Sequence, residues 1–230
     1  MLKAVIFDLD NTLYDYDAAH AVAFAAVTEY ARRELGIPAE AFPGLHAQAQ
    51  RALNERCGVH CAASHNRLIR YQLLLEARKL PLRHAPVMNA LYWSTLMDAM
   101  TANPGAVEAM AALRGRGLAI GIGTNMTADW QYEKLRRLGM IDSVDFIVTS
   151  EEVTAEKPDR KLFDCCAAKA GCAPGECAFV GDNLEADVLG AIAAGMRGVW
   201  LRRPGQPDRD IPGGASLTSL EGLPALIETL

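Results

Sequence analysis

The chain has 230 residues, of which 50% are hydrophobic and 22% are charged, and its formal net charge at pH 7 is -5. This is the composition of an ordinary globular protein with one domain and a large insertion, or with two small domains. The net negative charge argues against a nucleic-acid-binding surface, and no stretch approaches the roughly 18 unbroken apolar residues of a membrane helix. Because the N-terminus shows no signal-peptide pattern either, we expect a cytoplasmic protein that binds neither nucleic acid nor membrane.

Five short apolar runs predict β-strands. They are nearly continuous in hydrophobic residues and end in Gly, Asp, Thr or Ser, which is typical of strands buried on both faces. The predicted strands are Lys3–Asp8, Leu118–Thr124, Val144–Thr149, Cys177–Gly181 and Gly198–Leu201. Helical patterns at 128–138, 159–170 and 184–194 separate the last four strands, and a glycine follows each. This alternation predicts an α/β fold with a Rossmann-like parallel sheet.

Residues 15–98 interrupt this alternation. No convincing strand lies in this segment, whereas helices are plausible at 18–35, 39–56, 64–79 and 85–101. After Pro104-Gly105 the α/β pattern resumes with a helix over 106–113, and residues 203–214 form a turn-rich loop. We therefore predict an α/β core of residues 1–14 and 99–230, with an all-helical subdomain of residues 15–98 inserted into it.

The six cysteines are interpreted in two groups. Four of them, Cys165, Cys166, Cys172 and Cys177, are expected to be core thiols in a reducing compartment. A second group is a candidate zinc site, formed by Cys57, His60, Cys61 and His65. Its spacing matches no familiar zinc motif, so we favour a corner between two helices over a metal site.

Polar residues follow the ends of the predicted strands. In parallel α/β sheets, ligands bind at the carboxyl ends of the strands, so these residues should gather at one edge of the sheet. They are Asp8 and Asp10, Thr124 and Asn125, Lys157 in the loop after the third strand, and Asp182 and Asp187. Each has a simpler explanation taken alone, as a turn residue, a helix cap or a solvated lysine, and only the combination favours a catalytic site.

Four motifs occur in a fixed order along the chain. They are Asp8-Leu9-Asp10-Asn11-Thr12, Thr124 at the end of LAIGIGT, Lys157 in EKPDRKLF, and Gly181-Asp182-Asn183-Leu184-Glu185-Ala186-Asp187. Together they resemble the haloacid dehalogenase-like hydrolase superfamily. The stretches NPGAVEAMAALRGRG and AGMRGVWLRR are also similar to members that carry a helical cap inserted after the first motif. The resemblance covers essentially the whole predicted core and implies that residues 15–98 form such a cap.

The resemblance implies a role for each motif residue. Asp8 would be the nucleophile that forms an aspartyl-phosphate, and Asp10 would move protons to the leaving group and from water. Mg²⁺ would be held by Asp8, the backbone carbonyl of Asp10, and Asp182. The Thr124 side chain and the Asn125 N–H would bind phosphoryl oxygens, while Lys157 would offset negative charge. Asp187 would orient water or Lys157.

Several reactions are known in this superfamily, and the residues favour one of them. Asp10 and Asp182 favour phosphoryl transfer over a 2-haloacid dehalogenase, because related dehalogenases typically lack the second aspartate of the first motif. A phosphonatase would need a lysine in the cap, where Lys79 is the only one. We expect a phosphatase acting on a small phosphorylated metabolite such as a nucleotide or sugar phosphate. A phosphomutase and a catalytically silent binding module remain alternatives.

The inserted subdomain is expected to select the substrate. Candidate specificity residues are Tyr14, Tyr16, His65, Arg67, Arg70 and Tyr71. Arg67 and Arg70 are three residues apart and would share one helix face, for which a solvated arginine pair is the favoured interpretation.

Overall fold

The computed structural model describes residues 1–203 and 205–230, and these form two compact units. The helical unit is Tyr16–Met100, and the α/β unit combines Met1–Asp15 with Thr101–Leu230. Pro204, which belongs to the loop predicted over 203–214, lies outside the described residues. That the helical unit acts as a cap stays a prediction.

Four α-helices build the helical unit. They are α1 (Tyr16–Leu35), α2 (Phe42–Cys57), α3 (Arg67–Ala77) and α4 (His84–Ala99). Helix α1 packs against α4, and α2 packs against α3. The helix predicted over 64–79 is shorter in the structure, where a 3₁₀ turn (Ala62–His65) precedes α3. Asn66 caps α3 by accepting a hydrogen bond from the Ile69 N–H at 3.1 Å, which fixes Arg67 as its first residue.

A six-stranded parallel sheet forms the centre of the α/β unit, which confirms the predicted fold class. Its strands are β1 (Ala4–Phe7), β2 (Ala119–Thr124), β3 (Phe146–Thr149), β4 (Cys177–Gly181), β5 (Arg197–Leu201) and β6 (Gly214–Leu217). Their order is β3-β2-β1-β4-β5-β6, and every pair is parallel. The prediction of five strands missed β6. This edge strand is only partly buried along its whole length, so it lacks the continuous apolar run that marks the others.

Among the described residues of the α/β unit, six α-helices accompany the sheet. They are α5 (Ala106–Gly115), α6 (Ala128–Arg137), α7 (Ser150–Val153), α8 (Arg160–Ala170), α9 (Gly190–Ala193) and α10 (Leu223–Ile227). The regular helix predicted over 184–194 is wrong in detail, because a π-helical segment, Leu184–Leu189, precedes α9. This wider turn carries Asp187, whose Oδ2 accepts a hydrogen bond from the Asn183 N–H at 3.0 Å. Such turns occur often at functional sites.

Strand β1 lies in the middle of the sheet and is fully buried. Its Ile6 belongs to a core cluster with Phe163, Cys166 and Phe179. Because β1 is paired on both sides, the residues that follow it are held in place by its neighbours β2 and β4. Within the described ranges, no helix has both the length and the apolar character required to cross a bilayer.

Candidate active site

Asp8 directly follows β1. Its N–H donates to the carbonyl oxygen of Val180 at 2.8 Å, so the hydrogen bonding between β1 and β4 continues through this residue. The side chain is almost completely buried, with 6% of the residue exposed. A carboxylate in such a position needs a charged partner, and the Lys157 Nζ lies 2.5 Å from its Oδ1.

Lys157 connects Asp8 to a second carboxylate. Its Nζ lies 2.8 Å from Asp187 Oδ1 and donates to the carbonyl oxygen of Gly123 at 3.0 Å. Burial lowers the pKa of this ammonium group, but Asp187 and Asp8 more than reverse the effect, so its pKa lies above the ordinary value. Lys157 therefore stays protonated and presents positive charge beside Asp8.

Three carboxylates converge at this edge of the sheet, and Asp8, Asp182 and Asp187 are hereafter called the carboxylate cluster. Their side chains offer oxygen atoms that all lie within 4.8 Å of one another. Burial raises the pKa of Asp8 to about 7; Lys157 opposes this rise and Asp187 adds to it. Burial, together with Asp187, also raises the pKa of Asp182. Since the buried lysine cannot balance three negative charges, the cluster suits a hard cation such as Mg²⁺, which prefers oxygen ligands.

Two small residues hold the cluster together. The Thr12 hydroxyl donates to Asp8 Oδ2 at 3.4 Å and accepts a hydrogen bond from the Asp182 N–H at 3.1 Å. At Gly181, a Cβ atom would overlap the side chain of Asp187. The absence of a side chain at this position therefore allows Asp187 to pack directly against the end of β4.

The exposed Arg203 also contacts the cluster, with its Nη2 3.1 Å from Asp182 Oδ2. The indole N–H of Trp200 donates to the Asp182 backbone carbonyl at 3.0 Å. Neither residue was predicted from the sequence as part of the site.

Asp10 has a separate set of partners. The Lys134 Nζ lies 2.6 Å from Asp10 Oδ1, and the Tyr14 hydroxyl donates to the same oxygen. The Lys134 side chain is fully buried, whereas 26% of the Asp10 side chain is exposed. Asp10 is thus held by a cation and a hydroxyl group apart from the Lys157 pair, which is a suitable environment for a group that exchanges protons with solvent.

Thr124 and Asn125 lie at the end of β2 and are held by residues of other segments. Thr124 Oγ1 accepts a hydrogen bond from Gln131 Nε2 at 2.6 Å. Asn125 Oδ1 accepts one from the Lys157 N–H at 3.0 Å, so its side chain positions the loop that carries the lysine. The phosphate-binding roles of Thr124 and the Asn125 N–H stay predictions.

The sequence analysis missed Gln131 and Lys134. Both are fully buried polar residues on α6, three positions apart, and therefore lie on one face of that helix. Their only signal in the sequence is their place on the helix that directly follows the motif at the end of β2, and this does not by itself predict burial.

Three of the candidate specificity residues lie in surroundings that the sequence did not indicate. Tyr14, in the α/β unit as the predicted bounds have it, is fully buried against Asp10. Arg67 and Arg70 are only 7% and 8% exposed, so the interpretation as a solvated pair is wrong.

The candidate zinc residues Cys57, His60, Cys61 and His65 form no metal-type group among the described residues, where the carboxylate cluster is the only one found. All six cysteines are free, and of the four expected core thiols Cys166 and Cys177 are buried while Cys165 and Cys172 are half-buried.

Comparisons with known proteins agree with this geometry. A family model described as haloacid dehalogenase-like hydrolase matches residues 2–195. A curated relative, ribulose-1,5-bisphosphate 5-phosphatase of Halopiger xanaduensis, is 38% identical over 86% of this chain and 84% of its own length. The chain belongs to the haloacid dehalogenase-like hydrolase family. The resemblance stated from the four motifs is therefore confirmed, and so is the prediction of a hydrolytic enzyme.

Further relatives include phosphatases and a dehalogenase. Glyceraldehyde 3-phosphate phosphatase of Methanopyrus kandleri is 33% identical over 88% of this chain and 85% of its own. Among solved structures of this family, a HAD phosphatase from Thermococcus onnurineus matches 98% of both chains with a TM-score of 0.76 and 25% identity. A 2-haloacid dehalogenase from Pseudomonas syringae matches 100% of this chain and 99% of its own, with a TM-score of 0.80 and 25% identity. The fold is thus shared by members with different reactions, and the side chains of the site must decide between them.

Proposed function

We propose that the chain is a Mg²⁺-dependent phosphatase that hydrolyses a small phosphomonoester through an aspartyl-phosphate on Asp8. The observation that carries the proposal is the carboxylate cluster, where the buried Asp8 shares one lysine with Asp187 beside Asp182. Two curated relatives named as phosphatases support the same reaction class.

Two displacements at phosphorus make up the reaction. An Asp8 carboxylate oxygen attacks the phosphorus atom, the bond to the ester oxygen breaks, and Asp10 gives that oxygen a proton. A water molecule then attacks the phosphorus of the aspartyl-phosphate and gives a proton to Asp10, which releases inorganic phosphate and restores the Asp8 carboxylate. Lys157 offsets the negative charge of Asp8 and of the phosphoryl group throughout.

The carboxylate cluster accounts for the proposed metal. Asp8, the Asp10 backbone carbonyl and Asp182 would hold Mg²⁺, which supplies further neutralisation of the phosphoryl oxygens. Asp187 is placed against Lys157 at 2.8 Å and would orient that lysine. Partial neutralisation is what allows a carboxylate, itself negatively charged, to approach a phosphate ester.

A 2-haloacid dehalogenase is the principal competing function on this fold. It would use Asp8 as the nucleophile but needs neither a leaving-group acid nor a metal. This chain has Asp10 in a polar, partly exposed environment, and its carboxylate cluster has three carboxylates against two cations, Lys157 and Arg203. Both features favour phosphoryl transfer.

The substrate is proposed to be a small phosphorylated metabolite, with a sugar phosphate favoured over a nucleotide because two curated relatives are named for sugar phosphates. A phosphomutase would use the same two aspartates, and a catalytically silent binding module would keep the fold without turnover. Both are less favoured than the phosphatase. A cytoplasmic location stays a prediction.

Hydrolysis of p-nitrophenyl phosphate, ribulose 1,5-bisphosphate, glyceraldehyde 3-phosphate and nucleoside monophosphates, measured as phosphate release, tests the proposal. Activity should require Mg²⁺, disappear in EDTA and return when Mg²⁺ is added. Full turnover in EDTA would exclude the metal role, and halide release from 2-chloropropionate in EDTA would establish the dehalogenase. Transfer of phosphate between two positions of one sugar, without release, would indicate a mutase.

A further inference from the structure

One face of α3 carries three buried polar residues. Arg67, Arg70 and Tyr71 are spaced as i, i+3 and i+4, so their side chains lie on the same side of the helix. Only 7%, 8% and 0% of these residues are exposed. These three residues, which lie entirely within the helical unit, are called the arginine cluster below.

Arg67 is surrounded by aromatic rings. Its guanidinium carbon lies 4.2 Å from the centre of the Tyr92 ring and 4.8 Å from that of Trp93, and its Nη2 donates to the Tyr16 hydroxyl at 2.6 Å. Aromatic faces attract a cation but do not neutralise it. No ion pair of Arg67 or Arg70 is found among the described residues.

Arg70 has only weak polar partners. Its Nη1 lies 3.4 Å from His46 Nε2, and its Nη2 donates to the Ser64 carbonyl oxygen at 3.3 Å. Burial and the positive charge of Arg67 lower the pKa of Arg70 to about 10. Burial, followed by Arg70 and Arg67, lowers the pKa of His46 to about 3, so His46 is neutral. The partners found for Arg70 among the described residues thus add no negative charge.

Three polar atoms of the arginine cluster have no hydrogen-bond partner in the part of the chain that the structure describes. They are Arg67 Nε, Arg70 Nε and the Tyr71 hydroxyl, and all are buried. Burial raises the pKa of Tyr71 to about 12, so its hydroxyl group keeps a proton to donate. Buried donors are nearly always paired in folded proteins. The cluster therefore combines two positive charges and several donors with no anionic acceptor of its own.

We propose that the arginine cluster is a binding site for a small oxyanion, a phosphate or a carboxylate group. Planar guanidinium groups match such anions in both charge and hydrogen-bonding geometry. The oxyanion comes either from a second acidic group of the substrate or from a free anion. In the first case the inference rests on the proposed function, and the substrate class becomes phosphomonoesters with a second acidic group. The bound anion would replace the two long hydrogen bonds of Arg70, which join it to His46 and to the Ser64 carbonyl oxygen.

A purely structural role for Arg70 and an anion-binding role predict opposite effects of its replacement on stability. If the guanidinium serves packing and hydrogen bonding, replacing it destabilises the protein under all conditions. If it awaits an anion, the anion-free protein carries an uncompensated buried charge, and replacing that charge with an apolar side chain of similar length relieves it. Arg70→Met distinguishes the two roles. Arg78→Met is the matched control, because Arg78 is exposed at the C-terminal end of the same helix.

Thermal unfolding of the Mg²⁺-loaded full-length chain with and without millimolar sulfate is the first measurement, with sodium chloride at equal ionic strength as the reference. Sulfate should raise the Tm of wild type and Arg78→Met more than that of Arg70→Met. Without sulfate, the Tm of Arg70→Met should equal or exceed that of wild type. A lower Tm combined with an unchanged sulfate response would overturn the proposal. Arg67→Lys, which keeps the charge but loses the planar group, should retain only part of the response.

Steady-state kinetics separate the two sources of the oxyanion. The ratio of kcat/KM for a sugar bisphosphate to that for the corresponding monophosphate should fall at least tenfold in Arg70→Met if the substrate supplies the group. An unchanged ratio with an Arg70-dependent sulfate response identifies a free anion. If neither measurement depends on Arg70, the site does not exist. Because the sulfate measurement needs no turnover, it decides the inference even if the chain proves not to be a phosphatase.

Discussion

The two units of the molecule bury charge of opposite sign. In the α/β unit, the carboxylate cluster places three carboxylates around the buried Lys157, with the exposed Arg203 at one side. In the helical unit, the arginine cluster places two guanidinium groups among aromatic rings, and among the described residues neither forms an ion pair with a carboxylate. Buried charge is costly in both signs, so neither cluster is explained by stability alone.

The contrast lies in how the protein itself compensates each charge. Lys157 and Arg203 together meet three carboxylates, which leaves a deficit of positive charge that a bound cation would supply. Arg67 and Arg70 meet hydroxyl groups, a neutral imidazole and ring faces, which leaves a deficit of negative charge. A phosphorylated metabolite together with Mg²⁺ provides both kinds of charge. Each unit, taken by itself, should therefore bind a group of the charge that it lacks.

Replacing Asp8 should produce the largest effect. Asp8→Asn retains the size of the side chain but removes the proposed nucleophile, so turnover should fall by several orders of magnitude and no phosphoaspartate should be trapped. Phosphate release and mass spectrometry of the acid-quenched enzyme measure this. The exposed Asp210→Asn is the control and should keep wild-type turnover. An Asp8→Asn enzyme with normal turnover would show that the carboxylate cluster serves another purpose.

Replacing Asp10 should cost less and depend on the leaving group. Asp10→Asn keeps the nucleophile but removes the proton donor, and such assistance is typically worth 10²–10⁴-fold. In single-turnover experiments, formation of the intermediate should slow strongly for an alkyl phosphate and little for p-nitrophenyl phosphate. Breakdown of the intermediate should slow for both, because water must still lose a proton. If the rate of intermediate formation fell equally for the two esters, Asp10 would not act as the leaving-group acid.

The smallest effect should be that of Asp8→Asn on the stability of the metal-free protein. The pKa of Asp8 is raised from 3.8 to about 7, so between these values the folded chain holds a proton that the unfolded chain has lost. Its contribution to stability is therefore present at low pH and is lost as pH rises towards 7. Without metal at pH 8, the free energy of unfolding of Asp8→Asn should exceed that of wild type by about 2 kcal/mol. One pKa unit corresponds to about 1.4 kcal/mol, and relaxation and water entry around the buried carboxylate recover part of the cost that the raised pKa implies.

Urea unfolding in EDTA at several pH values measures this difference. The free energies of unfolding of the two proteins should become equal near pH 4. At pH 8, Mg²⁺ should reduce the difference between them by stabilising wild type. A metal-free wild type that stays more stable than Asp8→Asn at pH 8 would contradict the excess of negative charge at the cluster.

The parts that could be predicted from the sequence follow from strong local signals. Strands β1 to β5 are nearly continuous apolar runs. Because the strands are parallel, the residues that follow them lie at the same edge of the sheet. Asp8, Lys157 and Asp187 were accordingly identified from motif positions before their contacts were known. Strand β6 lacked this signal because an edge strand needs no apolar residues on both faces.

Other features depend on how helices pack, which a single sequence shows poorly. The arginine pair on α3 has the spacing of an ordinary exposed pair, and its burial depends on α1 and α4, which supply Tyr16, Tyr92 and Trp93. Lys134 likewise has the appearance of a surface lysine on α6 until its contact with Asp10 is seen. The π-helical segment that carries Asp187 has no compositional mark.

The hydrogen bond from the Asp8 amide to Val180 has a consequence for motion. This amide extends the pairing of the central strands β1 and β4, which are flanked on both sides by other strands. Such amides exchange with solvent only when the sheet itself opens. The backbone of the proposed nucleophile is thus as rigid as the folded core. Whatever rearrangement accompanies turnover must take place in side chains or in the loops around a stationary Asp8.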